Sequence, residues 1–198
     1  MVSIFHATNG TAIDHVRALM QDFLAWQRER HADDWRLVDL LRHDQGFEEE
    51  LAELPDIYAL PAARPSSPLQ KRSSLLIAYH AGHPAGCVAL RDLGTGICEL
   101  KRMFVPADLR GLGVGRALVM RAMSEARHAG YARMRLAASK RHTEAICLYE
   151  KSGFTRLSSA DASSPGALPG DAPVTPAPAT GAPEAEPTAG VIFYERGL

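Results

Sequence analysis

The 198-residue chain has little of what marks a secreted or cross-linked protein. Its three cysteines, Cys87, Cys98 and Cys147, are odd in number and form no CxxC pair. A disulfide scaffold and a cysteine-rich zinc site are both disfavoured, and a reducing compartment is expected. The amino terminus, MVSIFHATNG, lacks a basic stretch followed by an apolar one, so no secretion leader is read there. The longest apolar run, Leu75–Tyr79, is far too short to cross a bilayer. Charge of one sign is also missing: 22 Lys and Arg face 23 Asp and Glu, which disfavours a generally basic nucleic-acid coat. What is present is a 46% hydrophobic composition, enough to bury a core. The expectation is one soluble, cytoplasmic domain over residues 1–198.

Residues 2–7 alternate weakly and read as a first strand. From Thr11, taken as a helix cap with Asp14 in the first turn, Ile13, Val16, Leu19, Met20, Phe23, Leu24 and Trp26 recur at helical spacing. A second helical stretch covers Phe47–Leu54 and carries the acidic run Glu48–Glu50. Pro61–Ser74, with three prolines, reads as a loop. Leu75–Tyr79 and Gly86–Arg91 are β-rich and joined by a hairpin-like turn holding His80 and His83. Both histidines lack a ligand partner at metal spacing and read as turn residues. Ile97–Val105 is a longer strand stopped by Pro106. The turn Arg110-Gly-Leu-Gly-Val-Gly115 then opens a helix ending near Gly130. Tyr131–Ala138 is a strand, Thr143–Ser152 a helix closed by Gly153, Phe154–Leu157 a strand start, and Val191–Tyr194 a closing strand.

Between the last two, residues 158–190 hold nine Ala, seven Pro and four Gly. Such a stretch buries too little apolar surface to offset ordering, so it reads as a flexible insertion.

Charge is concentrated locally. Residues 101–156 carry twelve basic side chains against four acidic ones. A basic segment built around a strand, a glycine turn and a helix suggests an anionic ligand, held by main-chain N–H groups and the helix N-terminus. Neither Lys nor Ser/Thr follows Gly115, so a nucleotide P-loop is disfavoured; the spacing required for a dinucleotide-binding turn also fails.

Arg110-Gly-Leu-Gly113-Val-Gly115 resembles motif A of the GNAT superfamily of acyl-CoA-dependent N-acetyltransferases. About thirty residues on, His142-Thr-Glu-Ala145-Ile-Cys-Leu148-Tyr149-Glu-Lys-Ser-Gly153-Phe154 resembles its motif B, with His142 where the family has Asn. The close likeness covers residues 75–157. It implies an α/β (α+β) fold, with a mixed, largely antiparallel twisted sheet, flanking helices and splayed central strands. It also implies acetyl-CoA as co-substrate, with no metal. Its diphosphate would sit on the main chain of Arg110, Gly111, Leu112, Gly113, Val114, Gly115 and Arg116. Its pantetheine would pair with Met103, Phe104 and Val105, near His142 and Ala145, and the Met103 N–H would polarise the thioester carbonyl.

For acid–base work the resemblance points to Glu99 as general base and Tyr149 as general acid. Glu99 has an alternative as a cross-sheet ion-pair partner, and Tyr149 as a half-buried helix aromatic. Alternation puts Glu99, Lys101, Met103 and Val105 on one face. Asp33, Asp34 and Glu48–Glu50 read either as a solvated face or as an attractor for a cationic amine. The expected activity is acetyl transfer to a primary amine of a small molecule or peptide, with a homodimer left open. A protein lysine or N-terminal acetyltransferase and a non-catalytic acyl-CoA sensor remain alternatives. Nucleic-acid binding lacks aromatic stacking motifs, and no membrane partner is expected.

Overall fold

The computed structural model describes residues 1–33, 47–54, 58, 73–158 and 190–198. Along the chain lie β1 (Val2–His6), α1 (Gly10–Arg30), α2 (Phe47–Ala52), β2 (Ser74–His80), β3 (His83–Gly94) and β4 (Ile97–Phe104). A short 3-10 turn (Ala107–Leu109) leads to α3 (Val114–His128), β5 (Arg133–Ser139), α4 (Thr143–Lys151), β6 (Thr155–Arg156) and β7 (Val191–Gly197). The strands form one seven-stranded sheet ordered β1-β2-β3-β4-β5-β7-β6. Only β4 and β5 run parallel. The expected fold class is therefore observed. The loop read at 61–74 and the insertion read at 158–190 fall almost wholly outside the described residues, as does Asp34.

The strand alternation of the sheet feeds two cores. Leu76, Ala78, Val88, Leu90, Cys98 and Leu100 pack with α3 and α4. Leu75, Ile77, Cys87 and Ala89 pack with Ile13, Val16, Leu19 and Met20 of α1 and Phe47 of α2. Period two in the strands and period 3.6 in the helices explain both layers.

Local chemistry sets the boundaries. Ala81 (φ 50°) and Gly82 (φ 83°) make the two-residue turn between β2 and β3, a backbone geometry that suits the twist of a hairpin. The cap of α1 is Asn9 rather than Thr11: its side-chain oxygen accepts the Ala12 N–H at 2.9 Å. The helix thus starts one residue before Thr11, and Asp14 pairs with Arg17 instead of serving the first turn. Both α3 and α4 end in the same device. Gly130 and Gly153, each at φ 84°, donate back into the last turn, and the following Tyr131 and Phe154 donate to Ala126 and Tyr149.

Two irregularities at β4 shape everything downstream. The β3–β4 register jumps from Ala89↔Lys101 to Cys87↔Phe104, so β4 holds one extra residue, and Arg102 there has φ 54°. Gly86 is opposite: a Cβ on it would lie 2.6 Å from the Phe104 carbonyl oxygen, so only glycine admits the close approach. The second irregularity is the parting of β4 and β5. They pair over only three positions, from Ile97↔Arg133 to Glu99↔Arg135. Beyond these, β5 is held by β7 alone, and the β5-facing edge of β4 from Leu100 onward has no strand partner among the described residues.

The bulge corrects one expectation. Cys98 and Leu100 face α3, so Glu99 and Lys101 face α1 and α2. After the extra residue the parity shifts: Met103 and Val105 pack toward α3, and Phe104 toward α1. Glu99 and Lys101 therefore share a face, but Met103 and Val105 are on the other.

Candidate active site

A cavity of about 510 Å³ opens where β4 and β5 part. Its wall includes residues 100–105 of β4 and the turn after it, Ala137 and Ala138 of β5, and the glycine turn with the start of α3. Phe23, Trp26 and Phe104 line it from the α1 layer, while Met103, Val105, Leu148 and Tyr149 line it from the α3/α4 layer. The cavity therefore passes through the sheet.

At one end lies the glycine turn. Gly111 (φ 79°) and Gly113 (φ 80°) hold left-handed backbone, and a side chain at either would meet open space. The demand for glycine there is conformational. Gly113 caps α3 with no side chain, so the first amides of α3 receive no side-chain acceptor. Gly111, Gly113, Gly115, Arg110 and Arg116 all line the cavity. Leu112 is exposed and the Val114 side chain is buried in the core, and neither lines the cavity. Arg110 is already engaged: Nε donates to the Val105 carbonyl at 3.1 Å, and its guanidinium lies 4.8 Å over Trp26. Arg116 has no charged partner among the described residues.

Tyr149 is fixed from two sides. The helix-ending turn at Gly153 brings Phe154 edge-on to its ring at 5.9 Å, and burial leaves it 5% exposed. Its hydroxyl has no hydrogen-bond partner among the described residues, and the ring lines the cavity. Burial pushes its pKa well above the usual phenol value, so it keeps its proton.

Glu99 lies one residue beyond the cavity wall. Its Oε2 stands 2.5 Å from Nη2 of Arg91, its direct neighbour on β3. Of its two readings, the cross-sheet pair is present, with an arginine of the neighbouring strand, Arg91.

The acidic run Glu48–Glu50 divides. Glu48 and Glu49 are exposed, while Glu50 is 2% exposed and points inward with Phe47, three residues before it. Its carboxylate receives Arg102 twice at 2.9 Å, Lys101 Nζ at 2.9 Å and the Tyr58 hydroxyl at 2.5 Å. Burial alone would raise the Glu50 pKa, but Arg102 and then Lys101 outweigh it and hold it at about 2. A carboxylate so saturated attracts no amine, which corrects that expectation.

His142 lies between α1 and the cavity. Its ring is 4.7 Å from that of Trp26, and its Nε2 is 3.4 Å from Nε2 of His31. Burial, then the charges of His31 and Arg30, push its pKa down to about 4. Around it the end of α1 is bound to the start of α4: Arg30 donates twice to the Arg141 carbonyl and pairs with Glu144, and Arg141 pairs with Asp33. Asp33 is thus an ion-pair partner of Arg141. Ala145 lines the cavity beside this junction.

Helical spacing marks Phe23 and Trp26 as inward side chains without telling cavity from packing. His31 and the buried role of Lys101 carried no signal of their own. Spacing from Phe47 to Glu50 was the one available hint that Glu50 turns inward.

The acetyltransferase (GNAT) family model matches residues 20–154, and the chain belongs to that family. Over 80 residues it is 40% identical to an IAA acetyltransferase of Azospirillum brasilense, covering 40% of this chain and 52% of that protein. The chain spans about half or less of the curated relatives it matches. A GNAT-family acetyltransferase structure from Staphylococcus aureus superposes with a TM-score of 0.65 at 17% identity, covering 100% of this chain and 99% of the other. PaiA N-acetyltransferase of Thermoplasma acidophilum, solved with coenzyme A, gives 0.63 at 11% identity over 100% and 99%. At these identities the two structures bear on the fold.

Proposed function

We propose that the chain transfers an acetyl group from acetyl-CoA directly to a primary amine of a small molecule or peptide. The observation that carries this reading is the unpaired edge of β4, which runs from Leu100 through one continuous cavity to the glycine turn. An extended amide-bearing arm can add to such an edge as a strand would, and a diphosphate suits the uncapped amides of Gly113–Arg116. The coenzyme A held by the Thermoplasma relative supports the same ligand.

In this reading the Met103 N–H, next to the bulge, donates to the thioester oxygen as negative charge builds there. The amine attacks the acetyl carbon and the carbon–sulfur bond breaks. Tyr149, kept protonated by burial, gives its proton to the departing thiolate. Glu99 takes the proton that the ammonium must lose, through solvent, since its carboxylate is one residue behind the wall.

Acetyl-CoA is expected to raise the melting temperature where NAD or ATP at equal concentration does not; equal shifts from all three would defeat the pantetheine site. Tyr149→Phe is expected to lower turnover about 100-fold with acetyl-CoA affinity nearly unchanged. Measuring coenzyme A release and acetyl-CoA binding on the same preparation checks it, and unaltered turnover would reduce Tyr149 to packing.

A further inference from the structure

Four strands carry a row of charge across the α1/α2 face of the sheet. Leu90, Leu100, Met134 and Leu136 turn into the α3/α4 core, so Arg91, Glu99 and Arg135, which alternate with them, turn to the other face. The register sets the row in line: Arg91 of β3 stands beside Glu99 of β4, Glu99 beside Arg135 of β5, and Arg135 beside Glu195 of β7. Side chains paired in this way on one face are within reach of each other.

Two of the cations near Glu99 are engaged by other carboxylates. Lys101, two residues along on the same face, pairs with Glu50 at 2.9 Å, and Arg135 donates through Nε to Glu195 at 2.7 Å. Arg91 is engaged by Glu99, and each is the other's one ion-pair partner among the described residues. The pair takes Oε2, the buried oxygen of the carboxylate. Arg91 does not line the cavity, and its side chain is 32% exposed. Its influence on the reaction therefore runs through Glu99.

A carboxylate one residue behind the cavity wall needs a fixed orientation, because proton transfer demands hydrogen-bond distance, directly or through one water. Left alone, a glutamate turns about its side-chain bonds; a charge-assisted contact to a strand neighbour stops that turning. The ladder is regular here: Arg91↔Glu99, Leu90↔Leu100 and Ala89↔Lys101 all precede the bulge, so Arg91 is carried in register with the group it holds.

We propose that Arg91 is a positioning residue for acetyl transfer: its guanidinium pins Oε2 of Glu99 and leaves Oε1 to receive the acceptor's proton. An N–H bond of the ammonium breaks, its electron pair stays on nitrogen, and the proton passes through solvent to Oε1. The inference rests on the acetyl-transfer reading above, with Glu99 as its base.

The test measures coenzyme A release by the full chain from acetyl-CoA with three primary amines: phenethylamine, spermidine and an Nα-acetylated lysine peptide. The best acceptor is then used with Arg91→Met, Arg91→Lys, Glu99→Gln, and Glu99→Gln combined with Arg91→Met. Arg91→Met is expected to lower kcat at least about tenfold with the KM for acetyl-CoA unchanged, and Arg91→Lys to recover most of the loss. With Glu99→Gln already in place, Arg91→Met should cost nothing more, because it acts only through that carboxylate. Arg91→Gln serves as a second neutral variant, and an acetyl-CoA thermal shift on every protein reports folding and the cofactor site. Full turnover in both neutral variants, a loss that falls on the acetyl-CoA KM instead of kcat, or losses that multiply in the double variant would overturn the inference while leaving acetyl transfer in place. Full turnover in Glu99→Gln would do the same. No thermal shift in the parent protein, with no coenzyme A released from any amine, would sink acetyl transfer and this inference together.

Discussion

The two layers that the sheet separates are built on different terms. Under α3 and α4 the core is apolar: Leu118, Val119, Met123, Met134 and Leu136 pack with no ionised side chain among them. Under α1 and α2 the same sheet buries Glu50, Lys101 and Arg102 beside Phe47. Apolar packing tolerates exchange of similar volumes, whereas a buried ionic group fails abruptly when one member is lost. The α3/α4 layer is thus forgiving, and the α1/α2 layer is exacting.

The comparison breaks hardest at Glu50. Glu50→Ala should cost about 3 to 5 kcal/mol, because Lys101 and Arg102 remain buried without their carboxylate. Leu118→Ala, in the other layer, should cost about 2 to 5 kcal/mol by leaving a cavity. Urea unfolding at several pH values separates them. The Glu50 carboxylate titrates at about 2 in the folded chain, below its ordinary value. Its contribution is therefore complete above the ordinary carboxylate range and is lost as pH falls through that range toward 2. The Leu118 cost should not change over the same window.

A smaller effect is expected at the glycine turn. Gly113→Ala forces a side chain into left-handed backbone, about 1 to 2 kcal/mol of strain, and should reduce the acetyl-CoA thermal shift more than it reduces stability. Equal losses of both would mean that the turn is structural.

The mildest test concerns His142, which is held neutral where α1 meets α4. Its folded pKa of about 4 lies below its ordinary value, so the unfolded chain binds the extra proton between the two. Stability should therefore rise with pH from about 4 to about 6.5. His142→Asn should remove that part of the slope in urea melts, and an unchanged slope would assign it to other groups.

What the sequence disclosed follows the same division. The glycine turn and the Gly153-Phe154 helix end were legible because left-handed backbone demands particular residues. Helical period found α1 and α3 for the same reason: burial on one face repeats. The bulge at Arg102 leaves no mark in the residues themselves, since a positive φ on an arginine is imposed by neighbours and leaves no glycine behind; only the family resemblance points to a bulge near Met103. Asn9 outcompeted Thr11 as cap although both residue types suit the role, and only the path of the chain decides between them. Glu50 was hidden inside a run of three like charges, two of which do face solvent.

The closure of the sheet carries one more consequence. The Leu157 N–H donates to the Phe193 carbonyl at 2.9 Å, with Arg156 opposite Tyr194, and the Lys140 N–H donates to the Gly190 carbonyl at 2.8 Å. Positions 157 and 193 are thus joined directly, and β6, a strand of two residues, closes the far edge of the sheet through main-chain bonds to β7.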